Sequence, residues 1–323
     1  MLSSPTPRRR MFIERLKWLF LNLACAFVPS KKYRELIRYS ALRYRIRPGR
    51  PPLPVKKRPA PINIAFCFDS HFVRQAGVTM ASLLANSKNR TSYNIHCVVD
   101  DSVTPEGRAV LTDLVRKMDP GSTLKFLEAN HDFDRCPVHR LTLGAYFRCM
   151  LPALLPELDE IIYADVDAIF LRDLIELADL DLGDNLLAGV QERPGYINSG
   201  FLVMNLARLR SEKIYDIWPE TRIRMGEQLQ GHDQDLLNLT CQGRILFLPV
   251  KYNFFHYMYP HLYRRGGIAP QDHHELKYEV VMVHYACGVP KPWREKRFYM
   301  STLWWEYARL TPFYEELRAE LKT

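Results

Sequence analysis

The sequence predicts an α/β domain, a mostly parallel sheet flanked by helices, with an amphipathic helical arm in front of it. Three observations carry this reading. From residue 62 onward, short apolar runs of strand length alternate with segments of helical period, the pattern of βαβ units. The apolar run 160–164 ends in Asp165-Val166-Asp167, and ligands of open α/β sheets bind outside the carboxyl ends of the strands. The charge is also divided. Residues 1–58 hold 16 Lys+Arg against 2 Asp+Glu, and the remainder hold 29 against 34, so a basic arm precedes a mildly acidic body.

The arm begins with Arg8-Arg9-Arg10 and an apolar core over 18–28, shorter than the ~20 residues of a spanning helix. Phe12, Leu16, Leu19, Phe20, Leu23 and Phe27 recur at helical spacing, and Tyr33, Leu36, Ile37, Ala41 and Tyr44 share one face of a second basic stretch. The charged start and Ala24-Cys25-Ala26 loosely imitate a secretory signal. The basic run could also contact nucleic-acid phosphates. Two amphipathic basic helices suit the headgroup boundary of an anionic membrane better than either, or than packing on the body. The expectation is a protein held at the cytoplasmic face of the membrane through residues 8–47, with no nucleic-acid partner. Residues 48–61 are dense in proline, a composition poor at forming either helix or ladder, which divides the chain into an expected arm with linker (1–58) and one domain (59–323).

Within the body, strands are expected at 62–68, 93–99, 123–127, 161–164, 186–190, 201–205, 245–248 and 280–284. Helices are expected at 78–86, 105–118, 143–155, 214–225 and 235–241. Seven cysteines, at 25, 67, 97, 136, 149, 241 and 287, show no Cys-x-x-Cys spacing. Such a set reads as reduced structural thiols of a cytosolic protein and argues against a cysteine-built zinc site.

Asp165-Val166-Asp167 is the most informative feature. Two carboxylates one residue apart at a strand's carboxyl end offer hard oxygen ligands to a divalent cation that also holds a diphosphate. Alone, an Asp-x-Asp is more often an acidic turn. The surrounding blocks change that. In order they are Ile64-Ala65-Phe66-Cys67-Phe68-Asp69; Gly144-Ala145-Tyr146-Phe147-Arg148; Tyr163-Ala164-Asp165-Val166-Asp167; Tyr196-Ile197-Asn198-Ser199-Gly200 with Val203-Met204-Asn205-Leu206; His232-Asp233-Gln234-Asp235-Leu236-Leu237-Asn238; and His284-Tyr285-Ala286-Cys287-Gly288-Val289-Pro290-Lys291-Pro292-Trp293.

With these blocks the body, from about residue 62 to 293, resembles glycosyltransferase family 8, the retaining nucleotide-sugar transferases that include glycogenin and bacterial lipooligosaccharide galactosyltransferases. The resemblance implies a GT-A fold, a Rossmann-like sheet with a metal-diphosphate site, in which Asp165, Asp167 and His284 hold Mn²⁺, with Mg²⁺ as the alternative. It implies that Asp69 and the position of His71 face the base and ribose of a UDP-sugar. Arg148, Asp165, Val166, Asn198, Ser199, Gly200, Gly288 and Lys291 would hold the rest of the donor. Asp233 and Gln234 would lie beneath the anomeric carbon, with Glu192 at the sugar hydroxyls. The activity implied is transfer of glucose or galactose to an oligosaccharide or lipid-linked glycan, such as lipopolysaccharide core or a related cell-surface polysaccharide.

Two positions depart from the family pattern. His71 stands where Asn is frequent, and only Arg193-Pro194-Gly195 separates Glu192 from Tyr196, which leaves a short lid and an open acceptor side. For Asp235 and Asn238 a helix-start role competes with a site role. Two rival functions are a non-catalytic glycan- or nucleotide-binding protein on the same fold, and a nucleotidyltransferase. The latter needs a Gly-rich, basic loop after the first strand, which residues 68–77 do not convincingly supply.

Overall fold

The computed structural model describes residues 60–87, 90–130, 132–134, 136, 143–255, 279–286, 291–295 and 300–321. The basic arm, the linker before residue 60 and Gly288 lie outside the described residues.

The chain opens with β1 (Ile62–Cys67), α1 (Val73–Ser87), β2 (Tyr93–Val99), α2 (Pro105–Met118) and β3 (Thr123–Glu128). A 3-10 helix at Leu143–Met150 runs into the short α3 (Leu151–Leu154), followed by β4 (Glu160–Ala164), β5 (Ala168–Phe170), β6 (Leu187–Arg193) and β7 (Tyr196–Asn205). Then come α4 (Leu206–Ser211), α5 (Trp218–Met225), α6 (Asp233–Thr240), β8 (Ile245–Leu248), β9 (Phe254–Phe255), β10 (Met282–His284), α7 (Ser301–Ala308) and α8 (Tyr314–Glu320).

The main sheet has the order β3-β2-β1-β4-β7-β6-β8. The first four strands are parallel, β7 runs against both β4 and β6, and β8 is parallel to β6. The result is the α/β architecture expected, with β7 as the one reversed strand of the main sheet among those described. Both faces are covered, as a parallel sheet requires. Ile64 and Phe66 of β1 join one apolar cluster with Val78 and Leu83 of α1 and Leu111 of α2. Ala65 and Cys67 join another with Tyr146, Met150 and Leu237. Thr104 starts α2, its hydroxyl accepting from Gly107 N at 3.2 Å with Pro105 next, the arrangement favoured at helix N-termini.

Several boundaries differ from expectation; α1, for example, begins at Val73 rather than 78, and two others have a local reason. The segment 143–155 is α-helical only in its last turn. Pro152 has no N–H for the carbonyl of Arg148 and its ring crowds the preceding turn. β7 starts at Tyr196 rather than 201, because a two-residue Pro194–Gly195 turn brings Arg193 opposite Tyr196. Gly195 has φ +74°, the conformation a type II turn requires after proline. The late strand is confined to 282–284 and belongs to a second sheet, β5-β10-β9. Cys67, Cys97, Cys136, Cys149 and Cys241 are free and buried. Among the described residues no helix is long and apolar enough to cross a membrane.

Candidate active site

The site forms at the carboxyl ends of β1 and β4. These strands pair with Phe66 beside Ala164, so the segments that carry Asp69 and Asp165 leave the same edge of the sheet. A polar face of α1 fixes the loop that follows. Thr79 directs its hydroxyl to the carbonyls of Val166 and Ala168 (2.8 and 2.7 Å). Ser82 Oγ accepts from Phe170 N at 2.8 Å, and Asn86 Nδ2 donates to Phe170 O at 3.0 Å. Spaced three and four residues apart, these side chains lie on one stripe of the helix.

β5 then brings in the third group. It pairs antiparallel with β10, placing His284 opposite Ala168, and Tyr285 N donates to Asp167 O at 2.9 Å. His284 Nε2 therefore stands 3.0 Å from Asp167 Oδ1 and 3.4 Å from Asp165 Oδ2. Such closeness demands a glycine behind it. A Cβ on Gly200 would lie 2.1 Å from His284 Cε1 and 2.8 Å from Asp165 Oδ2, so only glycine fits.

The electrostatics are those of a packed cluster of opposite charges. Lys291 Nζ lies 2.8 Å from Asp167 Oδ2 and also donates to Tyr285 O. For Asp167, burial opposes the charged form, but Lys291 and His284 outweigh it and hold the carboxyl well below the usual range. Burial likewise works against the charge on His284, yet Asp167 and Asp165 together lift it to about 9. The donor atoms of Asp165, Asp167 and His284 lie within 4.8 Å of one another. Two carboxylates and an imidazole this close can converge on one divalent cation. The mixed oxygen and imidazole set suits Mn²⁺.

Beneath the cluster lies Arg148, buried with its guanidinium 2.9 Å from Asp165 and 3.3 Å from Asp233. It also donates to Ser199 O at 2.7 Å and to Ser199 Oγ at 3.1 Å, and its guanidinium carbon sits 4.5 Å from the Tyr163 ring centroid. Burial and neighbouring Asp165 lift the Asp233 carboxyl above its usual range, with Arg148 and Ser199 as partial offsets. Tyr163 donates to Asp165 Oδ1. Arg148 thus braces two carboxylates from below.

Beside the cluster runs a chain of amides. Ser199 N donates to Gln234 Oε1 at 3.0 Å, and Ser199 Oγ to Asp233 at 3.0 Å. Glu192 Oε2 accepts from both Gln234 Nε2 and Asn198 Nδ2, each at 3.1 Å. Gly200 N donates to Asn198 Oδ1 at 3.0 Å. Asp235 and Asn238 have their own tasks. Asp235 accepts from Tyr196 OH and from Gly231 N. Asn238 pairs with both backbone groups of Ile197, at 2.8 and 2.9 Å, and so fastens α6 to β7.

Contacts link Asp165, Asp167, His284, Lys291, Arg148, Asp233, Ser199, Gln234, Asn198, Glu192 and Gly200. Asp69 and His71 stand apart from that network, and Gly288 lies outside the described residues. Asp69 is buried and accepts from His71 N at 3.0 Å, while the His71 side chain is exposed. Sequence reasoning missed Thr79, Ser82, Asn86, Tyr163 and Asn253. The first three left a signal, since small polar residues at helical spacing inside an apolar helix need buried partners.

Comparison with known proteins agrees with this geometry. The model of glycosyl transferase family 8 matches residues 63–297. General stress protein A of Bacillus subtilis is 26% identical, over 72% of this chain and 87% of that protein. Lipopolysaccharide 1,3-galactosyltransferase of Salmonella typhimurium is 24% identical, over 72% of each. Among solved structures, the galactosyltransferase LgtC in complex with donor and acceptor sugar analogs superimposes with a TM-score of 0.68 at 25% identity, covering 80% of this chain and all of LgtC.

Proposed function

The chain belongs to glycosyltransferase family 8, and from that premise we propose that it transfers glucose or galactose from a UDP-sugar to a glycan acceptor, with retention of the α configuration. The observation that carries this reading is the cluster of Asp165, Asp167 and His284, at the carboxyl edge where α/β sheets bind nucleotides. Similarity to a lipopolysaccharide galactosyltransferase supports an acceptor of the lipopolysaccharide-core or lipid-linked kind. The basic arm supports docking at an anionic membrane face, next to such acceptors.

A divalent cation held by Asp165, Asp167 and His284 would supply positive charge to the diphosphate leaving group. Around it the chain's own residues divide the work. Asp69 and the exposed His71 are at the nucleoside end. Lys291, a mobile point charge on a flexible stem, reaches the same face as Asp167 and is placed to meet the departing diphosphate. Arg148 favours the charged form of Asp165 and aims both Asp165 and Asp233. Glu192, oriented by two amide donors, presents its carboxylate to the sugar hydroxyls. Val166, Asn198, Ser199 and Gly200 line the donor cradle with backbone and amide groups.

Retention requires either a double displacement or attack from the face of the leaving group. Of the two groups assigned beneath the anomeric carbon, Asp233 is held by Arg148 and Ser199, and Gln234 offers only an amide oxygen already accepting from Ser199 N–H, so neither suits the first route. The second route fits better, with Gln234 and Asp233 stabilising an oxocarbenium-like carbon electrostatically.

UDP release from a panel of UDP-sugars with Mn²⁺, Mg²⁺ or EDTA tests the reading. Metal-dependent release from one UDP-hexose is expected, and folded protein that neither releases nor binds UDP in Mn²⁺ would overturn it. Deleting residues 1–58 is expected to free the protein from anionic liposomes while sparing donor hydrolysis; a truncated protein that still sediments with liposomes removes the arm as anchor.

A further inference from the structure

Behind His284, and fully buried, stands Asn253, the residue before β9. Its Oδ1 lies 3.0 Å from His284 Nδ1, and its Nδ2 donates to Asn198 Oδ1 at 2.8 Å. We propose that Asn253 is a positioning residue: it fixes which ring nitrogen of His284 faces the two aspartates, and it ties that choice to the donor-sugar face of the site. The inference rests on the reading that Asp165, Asp167 and His284 hold a divalent cation.

The orientation of every group in this chain follows from one backbone amide. Gly200 N–H can only donate, so the Asn198 atom 3.0 Å away must be the carbonyl oxygen. That orientation turns Asn198 Nδ2 toward the Glu192 carboxylate, an acceptor, so it is satisfied at both ends. The Asn253 atom facing Asn198 Oδ1 must then be the amide nitrogen. Asn253 Oδ1 is left facing His284, and an oxygen acceptor requires a proton on Nδ1. When a cation takes the place of the second ring proton, the proton held on Nδ1 leaves the lone pair on Nε2, the nitrogen that faces Asp165 and Asp167. Histidine ligands of metals usually donate their second N–H to a carbonyl or carboxylate in this way. Here the carbonyl belongs to an asparagine that also holds Asn198. Through Asn198 it reaches Glu192 and Gln234, so the cation side and the sugar side share one set of hydrogen bonds. In this network Asn253 does not touch the donor; it acts through His284 and Asn198.

The test uses the full chain and has two readouts besides turnover. In the Asn253→Leu variant, the dissociation constant for Mn²⁺, followed by electron paramagnetic resonance of the free ion, is expected to rise about 10–100-fold, the cost typical of losing a partner behind a metal ligand. Equal affinity in variant and wild type would overturn the inference. The second readout needs no variant of Asn253. In ¹⁵N-histidine-labelled wild type with Mg²⁺, the His284 ring, assigned by loss of its signals in His284→Gln, is expected to be protonated at Nδ1 and bare at Nε2. A proton on Nε2 would overturn the inference even if Asn253→Leu fails to fold. Wild type that binds neither Mn²⁺ nor Mg²⁺ would instead bring down the cation reading, and the role of Asn253 with it.

Discussion

Two acidic nodes bracket the three residues of β5, and they are built to opposite ends. On the far side Asp173 is buried among neutral donors: Thr91 Oγ1 at 2.8 Å, Tyr93 OH at 2.9 Å and Ile175 N at 3.1 Å, with Arg90 Nε at 3.8 Å. Its bonds are local and complete, and they fasten β2 to the turn after β5. On the near side Asp165 and Asp167 are crowded together against an imidazole, a lysine and an arginine. Among the described residues this is the one place where three side chains able to ligate a metal come together. A buried carboxylate with satisfied lone pairs holds a fold in place. Two carboxylates that must share cations form a site for one.

Substitutions at the two nodes sharpen the contrast. The largest effect is expected at Asp167→Asn, which takes one charge from the cluster and leaves Lys291 and His284 facing an amide. Mn²⁺ affinity and metal-dependent turnover should fall more than ~100-fold, beyond the cost of losing a partner behind a ligand, and Mn²⁺-dependent turnover near wild type would count against the ligand assignment. Gly200→Ala comes next. Its Cβ would displace the His284 ring from Asp165, so calorimetry should show Mn²⁺ binding weakened with the melting temperature changed less than metal affinity. Gln234→Ala is expected to lower kcat by about 10²-fold while UDP still binds; unchanged turnover would sink its assigned role. The smallest effect on activity is expected at Asp173→Ala, which strips the buried hydroxyls of Thr91 and Tyr93 of their acceptor. Chemical denaturation should show a loss of about 2–4 kcal/mol, with kcat of the folded protein retained. A fall in kcat matching that of Asp167→Asn would erase the distinction between the nodes.

What the sequence disclosed follows from how local each feature is. Asp165 and Asp167 are legible because the strand and both carboxylates sit in one short run. The βαβ alternation is legible because each apolar run is bounded by its own helix. His284 is 117 residues from Asp167, and only its place in a known series of blocks marked it. Asn253 carried no signal at all, since its role exists only where β9, β10 and β7 meet. The 3-10 stretch before Pro152 shows the reverse case. The proline was visible and its effect on the preceding turn is elementary, yet the apolar period of 143–155 dominated the reading. Arg148 shows how placement refines a role, for a residue matched to donor binding proves to brace two carboxylates from beneath.

The central claim is that Asp165, Asp167 and His284 bind a nucleotide diphosphate through a divalent cation. Calorimetric titration of UDP into the full-length protein, with Mn²⁺ and again with EDTA, tests it most directly. Tight binding in Mn²⁺ that weakens at least ~100-fold in EDTA, and is equally weak in Asp167→Asn with Mn²⁺ present, is expected. UDP affinity that is the same with and without the metal would contradict it.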